Sequence, residues 1–141
     1  MSLHRKVLLP RPSASMYDRP ITVHIYFAPP VPQLHNATDL ILDFPGGGFV
    51  AMSPDHHDER LRTWALKTGK PVLAVDYGKA PECNEILVVR FVRRLTVHSS
   101  DPYPFAMDEC FDLYRLLAET SGSCLGMSGK KLNVILSGDS A

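Results

Sequence analysis

Four short apolar runs, each bounded by proline, glycine or polar residues, constrain the fold of this chain more than any other feature. They cover residues 21–27, 40–44, 71–77 and 132–137. Most of them are apolar at successive positions, which is typical of strands in a sheet that is covered on both faces. The run 21–27 alternates in polarity, and we expect it to expose one face.

Two helical patterns lie between the runs. From about His57 to Thr68, apolar residues recur at spacings of three and four, and Gly69 follows as a stop signal. From about Phe105 to Thr120 a second apolar stripe recurs at the helical period. It consists of Met107, Phe111, Tyr114, Leu117 and Ala118. This order of elements predicts an α/β fold with a mostly parallel sheet flanked by helices.

Composition and charge narrow the classes of partner and compartment. The formal net charge is zero, which gives no reason to expect nucleic acid or an anionic membrane as a partner. No run approaches the roughly 18 apolar residues of a membrane span, and the first residues lack the apolar region of about 7–15 residues of a secretion signal. Three cysteines without a C-x-x-C pair, Cys83, Cys110 and Cys124, favour free thiols and a cytoplasmic location.

Three consecutive glycines follow the second run, in the segment Phe44-Pro45-Gly46-Gly47-Gly48-Phe49. Glycines let the backbone turn so that amide groups point into a pocket. Such amides can stabilise the oxyanion of a tetrahedral intermediate. A flexible turn is the alternative interpretation, while a phosphate-binding loop lacks its lysine and Ser/Thr at the required spacing.

The last run leads into Gly138-Asp139-Ser140-Ala141. A serine between small residues directly after a strand is typical of a nucleophile elbow, whose sharp turn exposes the hydroxyl group. Gly-x-Ser alone is common and also describes an ordinary turn serine. The glycine segment, which likewise follows a strand, favours the nucleophile.

Together these segments resemble, in order, the landmarks of the hormone-sensitive-lipase-like α/β-hydrolases, the α/β-hydrolase fold-3 family. The matching segments are 44–49, 76–82 (Asp-Tyr-Gly-Lys-Ala-Pro-Glu), 102–104 (Pro-Tyr-Pro) and 138–141. The resemblance covers about residues 21–141. It implies that residues 1–141 are a partial domain, the N-terminal fragment of an α/β-hydrolase fold truncated at the nucleophile elbow.

The resemblance also implies a Ser-Asp-His triad with Ser140 as the nucleophile. The amides of Gly47, Gly48 and Ala141 would then form the oxyanion hole. In this family the aspartate and histidine follow the elbow, and none of the six histidines here matches the motif, so we expect the chain by itself to be inactive. The implied partner is a small-molecule acyl ester, with no cofactor and no metal.

Two substitutions depart from the family pattern and keep a second function open. Pro45 stands in place of a histidine and changes the side-chain support of the glycine segment. Gly78 stands in place of an arginine and removes an ion-pairing group. A non-catalytic, receptor-like ligand-binding member of the same fold is therefore the alternative to a carboxylic-ester hydrolase.

A longer departure lies at residues 83–101, where 19 residues stand in place of one. One interpretation is a basic amphipathic element that carries Arg90, Arg93 and Arg94. We favour an insertion of non-coding origin, such as a retained intron, because its flanks join into the family pattern when it is removed.

Two further expectations concern the histidine pair and the last strand. His56 and His57 have no third ligand at metal-binding spacing, so we expect them at a helix start beside the pocket rather than in a metal site. The strand 132–137 should lie centrally in the complete sheet. In this chain its uncovered surface and unpaired edge predict self-association.

Overall fold

The computed structural model describes residues 3–17, 19–46, 54–76 and 102–138. They form a five-stranded sheet with a helix packed on each face. The strands are β1 (Leu3–Leu9), β2 (Ile21–Phe27), β3 (Asp39–Phe44), β4 (Val72–Val75) and β5 (Asn133–Gly138). The helices are α1 (Asp58–Thr68) and α2 (Pro102–Thr120), with short 3-10 helices at Val31–Asn36, Pro54–His57 and Ser123–Leu125.

The strand order is β1-β2-β4-β3-β5. β1 pairs with β2 and β2 with β4 in antiparallel fashion, whereas β3 is parallel to both β4 and β5. The predicted α/β class is confirmed, and the described part of the sheet is mixed. β1 has no counterpart among the predicted strands, because its residues 4–6 are polar and basic and interrupt the apolar pattern.

The core lies in two layers because successive side chains of a strand point to opposite faces. On one face, Ile25, Leu42 and Leu73 pack with Leu113 and Leu117 of α2. On the other face, a smaller cluster lies under α1. Its members are Tyr26, Ile41, Leu61, Ala65, Val72 and Ala74.

The prediction that residues 21–27 expose one face is wrong. Every residue of β2 except Thr22 is buried. The strand lies between β1 and β4, and α1 covers the face on which the polar residues lie. The hydroxyl of Tyr26 donates a hydrogen bond to Asp58 of α1 at 3.1 Å, so the polar atom is satisfied inside the fold.

The predicted end of α1 at Gly69 is confirmed. Gly69 has a φ of +65°, and its N–H donates to the carbonyl oxygen of Ala65 at 3.1 Å. A glycine accepts this left-handed conformation without the strain that a Cβ atom causes.

The helix predicted from about Phe105 to Thr120 is confirmed, but four of the five residues of its apolar stripe are exposed. Met107, Phe111 and Tyr114 are 50%, 59% and 40% exposed, Ala118 is also exposed, and only Leu117 is buried. The helix instead buries a face that includes two acidic residues, Glu109 and Asp112.

Arg11 explains why α2 faces this way. Its guanidinium donates to Glu109 Oε2 at 2.6 Å and to Asp112 Oδ2 at 3.0 Å. All three side chains are at most 6% exposed. Buried carboxylates are tolerated when a charged partner reaches both, and Arg11 comes from the segment between β1 and β2.

β5 pairs only with β3 within the described part of the chain. Its outer edge has no described partner strand, and Ile135 and Leu136 are 45% and 60% exposed. The central position that we predict for this strand concerns the complete sheet and stays a prediction. Among the described residues, neither helix is long and apolar enough to cross a lipid bilayer.

Candidate active site

The carboxyl ends of β3 and β5 lie side by side. Their parallel register pairs Asp43 with Ser137 and Phe44 with Gly138. A Cβ atom added at Gly138 would lie 3.5 Å from the carbonyl oxygen of Phe44, so the two backbones are in contact here. The glycine segment and the Gly-Asp-Ser-Ala segment therefore leave the sheet from one edge. In open α/β sheets this carboxyl edge is where active sites are found.

The predicted site residues themselves lie just beyond these strand ends. Gly47, Gly48, Ser140 and Ala141 are outside the described residues, as is the segment 83–101. Their roles as oxyanion donors, nucleophile and insertion stay predictions. The structure does place the residues that lead into them, Gly46 after β3 and Gly138 at the end of β5.

A buried carboxylate precedes the glycine segment. Asp43 is 0% exposed, and its Oδ2 accepts a hydrogen bond from Nη2 of Arg60 on α1 at 3.0 Å. The guanidinium carbon of Arg60 lies 4.9 Å from the ring centroid of Trp64, within the range of a cation–π contact. Removal of Arg60 would take a charged partner from a fully buried carboxylate, and breaking a buried ion pair costs about 3–5 kcal/mol in other proteins.

A cleft of about 400 Å³ opens beside the start of α1. It is lined by His56, His57, Glu59, Arg60, Thr63 and Trp64. His57 is the residue before the helix but makes no side-chain capping hydrogen bond, and its Nε2 is buried without a partner among the described residues. The prediction that the two histidines lie at a helix start is confirmed, and both line this cleft, whereas their place beside the substrate pocket stays a prediction. Within the described ranges, no group of three or more His, Cys, Asp or Glu could hold a metal ion.

Asp58, the first residue of α1, is held in its ionised form. Burial alone would raise the pKa of its carboxyl group. Hydrogen bonds from Arg62 and Tyr26, with the nearby charges of Arg62 and His4, outweigh burial and lower the pKa below its ordinary value. The negative charge at the amino end of the helix also interacts favourably with the helix dipole. Asp58 therefore stabilises α1 and is poorly suited to donate a proton at neutral pH.

Sequence reasoning missed Asp43 and Arg60. The available signal was a charged residue inside the apolar run 40–44, because a charge within a buried strand needs a charged or hydrogen-bonding partner. Three arginines or lysines in the following helical pattern could have supplied one: Arg60, Arg62 and Lys67. Only the packing of α1 on β3 selects Arg60.

Known proteins resemble this chain in both fold and sequence. The profile of a family described as alpha/beta hydrolase fold matches residues 41–84, from within β3 through α1 and β4. An esterase of Pyrobaculum calidifontis superposes with a TM-score of 0.63 at 23% identity, over 97% of this chain and 35% of the esterase. Carboxyl esterase 2 of the fungus Tuber melanosporum gives the same TM-score, identity and coverage.

Sequence relatives are lipases and esterases. Human hormone-sensitive lipase is 34% identical over 109 residues, which are 77% of this chain and 8% of the lipase. The esterase LipI of Mycobacterium tuberculosis is 32% identical over 125 residues, 86% of this chain and 31% of the esterase. Fold, strand-end geometry and these matches together define an α/β-hydrolase. Within that class, the chain belongs to the hormone-sensitive-lipase-like family.

The chain is much shorter than these relatives. It spans 8% of the human lipase, 12% of the hormone-sensitive lipase of Ictidomys tridecemlineatus and 31% of the mycobacterial esterase. The strands and helices described above are therefore a part of what those proteins contain.

Proposed function

We propose that the protein to which these residues belong is a carboxylic-ester hydrolase with Ser140 as its nucleophile. The amides of Gly47, Gly48 and Ala141 would serve as its oxyanion donors. The observation that carries this proposal is the parallel register of β3 and β5. It makes the glycine segment and the serine segment leave one edge of the sheet as neighbours.

The chemistry is acyl transfer in two steps. Ser140 Oγ attacks the carbonyl carbon of an acyl ester while a histidine accepts the hydroxyl proton. The backbone amides stabilise the oxyanion, the alcohol leaves with the proton from the histidine, and water then hydrolyses the acyl-enzyme. In the family this histidine and the aspartate that orients it follow the elbow, so residues 1–141 alone should lack the base.

The names of the relatives support hydrolysis rather than the receptor-like alternative. The relatives and structural neighbours cited above are lipases and esterases, and a Pseudomonas putida relative that is 31% identical is an ethyl acetate hydrolase. We therefore propose a small-molecule acyl ester as the substrate class. Cys124 is a free thiol within the described part of the chain, which supports a reducing, cytoplasmic compartment.

We also propose that residues 83–101 are interposed in the hydrolase domain. The match to the family profile ends at residue 84, the second residue of this segment. The pattern resumes in α2, which starts at Pro102.

A serine-directed phosphonate probe tests the proposal. A form extended through a later aspartate and histidine, with 83–101 reduced to one aromatic residue, should be labelled at Ser140 and should hydrolyse short acyl esters. Ser140→Ala should abolish both, and the control Ser137→Ala should abolish neither. The 141-residue chain should show no Ser140-dependent turnover, because loss of a triad base costs of order 10⁶-fold in kcat. A folded, extended protein that stays unlabelled would contradict the serine mechanism.

A further inference from the structure

His4 of β1 lies on the face of the sheet that α1 covers, and its ring stacks on Tyr26 of β2. The two ring centroids are 4.3 Å apart, and the ring planes are inclined by 11°. Atom Nδ1 of His4 lies 2.6 Å from Nη2 of Arg62 and 3.8 Å from Oδ1 of Asp58. One ring atom therefore faces both a cation and an anion of α1.

The contact with Arg62 defines the protonation state of the His4 ring. A guanidinium group has five N–H donors and no acceptor, so Nδ1 of His4 accepts the hydrogen bond with its lone pair. The neutral ring then carries its proton on Nε2, which lies 3.5 Å from Nδ1 of His24. A protonated ring has N–H groups on both nitrogens, so its Nδ1 can no longer accept a hydrogen bond from Arg62.

The titratable and charged side chains around His4 come from three elements. They are Lys6 on β1, His24 and Tyr26 on β2, and Asp58 and Arg62 on α1. Lys6 lies opposite His24 in the register of β1 and β2, and His24 is buried. Asp58 is the carboxylate of this group, so it is the acceptor that a protonated His4 can reach.

Asp58 is ionised over the whole range in which a histidine gains its proton. Burial raises the pKa of Asp58, but the hydrogen bonds from Arg62 and Tyr26 outweigh burial and lower it below its ordinary value. Arg62 also donates from Nε to Oδ2 of Asp58, so the guanidinium stays attached to the carboxylate when Nη2 loses its contact with His4. The His4 side chain is 27% exposed, and solvent protons therefore reach it.

We propose that His4 is a pH-sensitive switch at the contact between β1 and α1. Neutral His4 accepts a hydrogen bond from Arg62, whereas His4 that has taken a proton from solvent donates from Nδ1 to Asp58. Histidine is the side chain that ordinarily changes its charge between about pH 5 and pH 8. The exchange requires the distance from Nδ1 to Oδ1 of Asp58 to shorten from 3.8 Å to about 2.8 Å, the length of a charge-assisted hydrogen bond.

Double-mutant cycles on the 141-residue chain at pH 8 and pH 5 test this exchange of partners. His4→Phe removes both ring nitrogens and keeps a planar ring on Tyr26, while Arg62→Met and Asp58→Asn each remove one partner. The measured quantity is the unfolding equilibrium constant from denaturant titration at a protein concentration below that at which the chain associates. A cycle isolates the coupling between two side chains, so the other interactions of Arg62 and Asp58 cancel.

The two couplings should change in opposite directions with pH. At pH 8 the coupling between His4 and Arg62 should raise the unfolding constant roughly threefold to fivefold when it is lost, while His4 and Asp58 should be close to uncoupled. At pH 5 the coupling with Arg62 should disappear, and the coupling with Asp58 should reach roughly threefold to fivefold. If Asp58→Asn does not fold, the loss of the Arg62 coupling at pH 5 decides the question by itself.

His4→Gln is the matched control, because its amide oxygen accepts from Arg62 but cannot gain a proton. In the His4→Gln background both couplings should be the same at pH 8 and pH 5. Two results would overturn the inference: a coupling between His4 and Arg62 that is absent at pH 8 or unchanged at pH 5, or couplings that vary with pH as strongly in the His4→Gln background. Neither depends on the reactivity of Ser140, so phosphonate labelling judges the proposed function separately.

Discussion

Single side chains attach the segment between β1 and β2 to α2. The hydroxyl of Tyr17 donates to Asp108 Oδ2 at 2.8 Å, and the guanidinium carbon of Arg11 lies 5.3 Å from the Tyr17 ring centroid. Burial, together with the hydrogen bond to Asp108 and its negative charge, raises the pKa of Tyr17 from its ordinary 10.0 to about 12, against the opposing charge of Arg11. The neutral phenol is thus favoured in the folded state.

The raised pKa of Tyr17 predicts a loss of stability at alkaline pH. The unfolded phenol ionises near 10.0, so the contribution is complete below that pH and disappears as the pH rises through the folded value of about 12. Tyr17→Phe should lose less unfolding free energy than the parent over this range. The measurement is denaturant unfolding at a series of pH values, with Tyr114→Phe as the control variant. Parallel losses in the parent and in Tyr17→Phe would contradict the assignment.

Charged residues show what the sequence can reveal at this scale and what it cannot. Asp43 within an apolar run signals that a counter-charge is needed, but its identity depends on which helix packs against β3. Arg11 gives still less information, because its partner Glu109 lies 98 residues away in the sequence. Such pairs become visible only when the sheet brings distant segments together.

At the level of elements, α2 carries two candidate faces, and the apolar stripe seen in the sequence lies mostly on the exposed one. The face with Met107, Phe111 and Tyr114 is the more aromatic, whereas the buried face contains Ala106, Glu109, Asp112, Leu113, Leu116 and Leu117. Arg11 neutralises the two acidic residues on the buried face. The apolar pattern of a helix depends only on the residues of that helix. It therefore cannot predict an ion pair with a charged residue from another segment of the chain.

The observed orientation of α2 predicts unequal effects of substitutions on its two faces. Leu117→Ala removes a fully buried side chain and should cost about 2–5 kcal/mol of unfolding free energy. Phe111→Ser replaces a residue that is 59% exposed and should cost much less, although both positions belong to the apolar stripe. Chemical denaturation of the two variants measures the difference. A larger loss for Phe111→Ser would contradict the observed orientation of α2.

The other elements were predictable to within a few residues where local signals were strong. Apolar runs located β2 to β5, and Gly69 located the end of α1 because a left-handed residue there favours glycine. β1 was missed because its stability comes from pairing along β2, from Leu3 with Phe27 to Leu9 with Ile21, rather than from its own composition. An edge strand of this kind has no strong local signal.

For the whole molecule, the sequence supplied the motifs of the candidate site and the structure supplied their adjacency. The glycine and serine segments are separated in the sequence by two helices and a strand, yet β3 and β5 are neighbours in register. No local pattern in the sequence specifies this pairing. It depends on the order of the strands in the sheet, in which β4 lies on one side of β3 and β5 lies on the other. Family resemblance was therefore needed to link the two motifs before the fold was known.

The outer edge of β5 leads to a prediction about association of the 141-residue chain. Ile135 aligns with Ile41 on the α1 face and Leu136 with Leu42 on the α2 face, so apolar side chains are exposed on both sides of this strand. An unpaired apolar edge is a template for pairing with another chain, and a net charge of zero provides no repulsion. Covering about 300 Å² of apolar surface would contribute roughly 7 kcal/mol before the cost of association.

We therefore expect the 141-residue chain to associate as its concentration rises, with β5 at the contact. Sedimentation velocity over a range of concentrations should show this association, and Leu136→Lys should weaken it by placing a charge on the exposed strand. Met16→Lys is the matched control, because Met16 is 84% exposed but lies in a loop remote in sequence from β5. A chain that stays monomeric and binds no hydrophobic dye would show that β5 is covered in solution. Equal weakening by both lysine substitutions would mean that added charge, rather than the edge of β5, controls association.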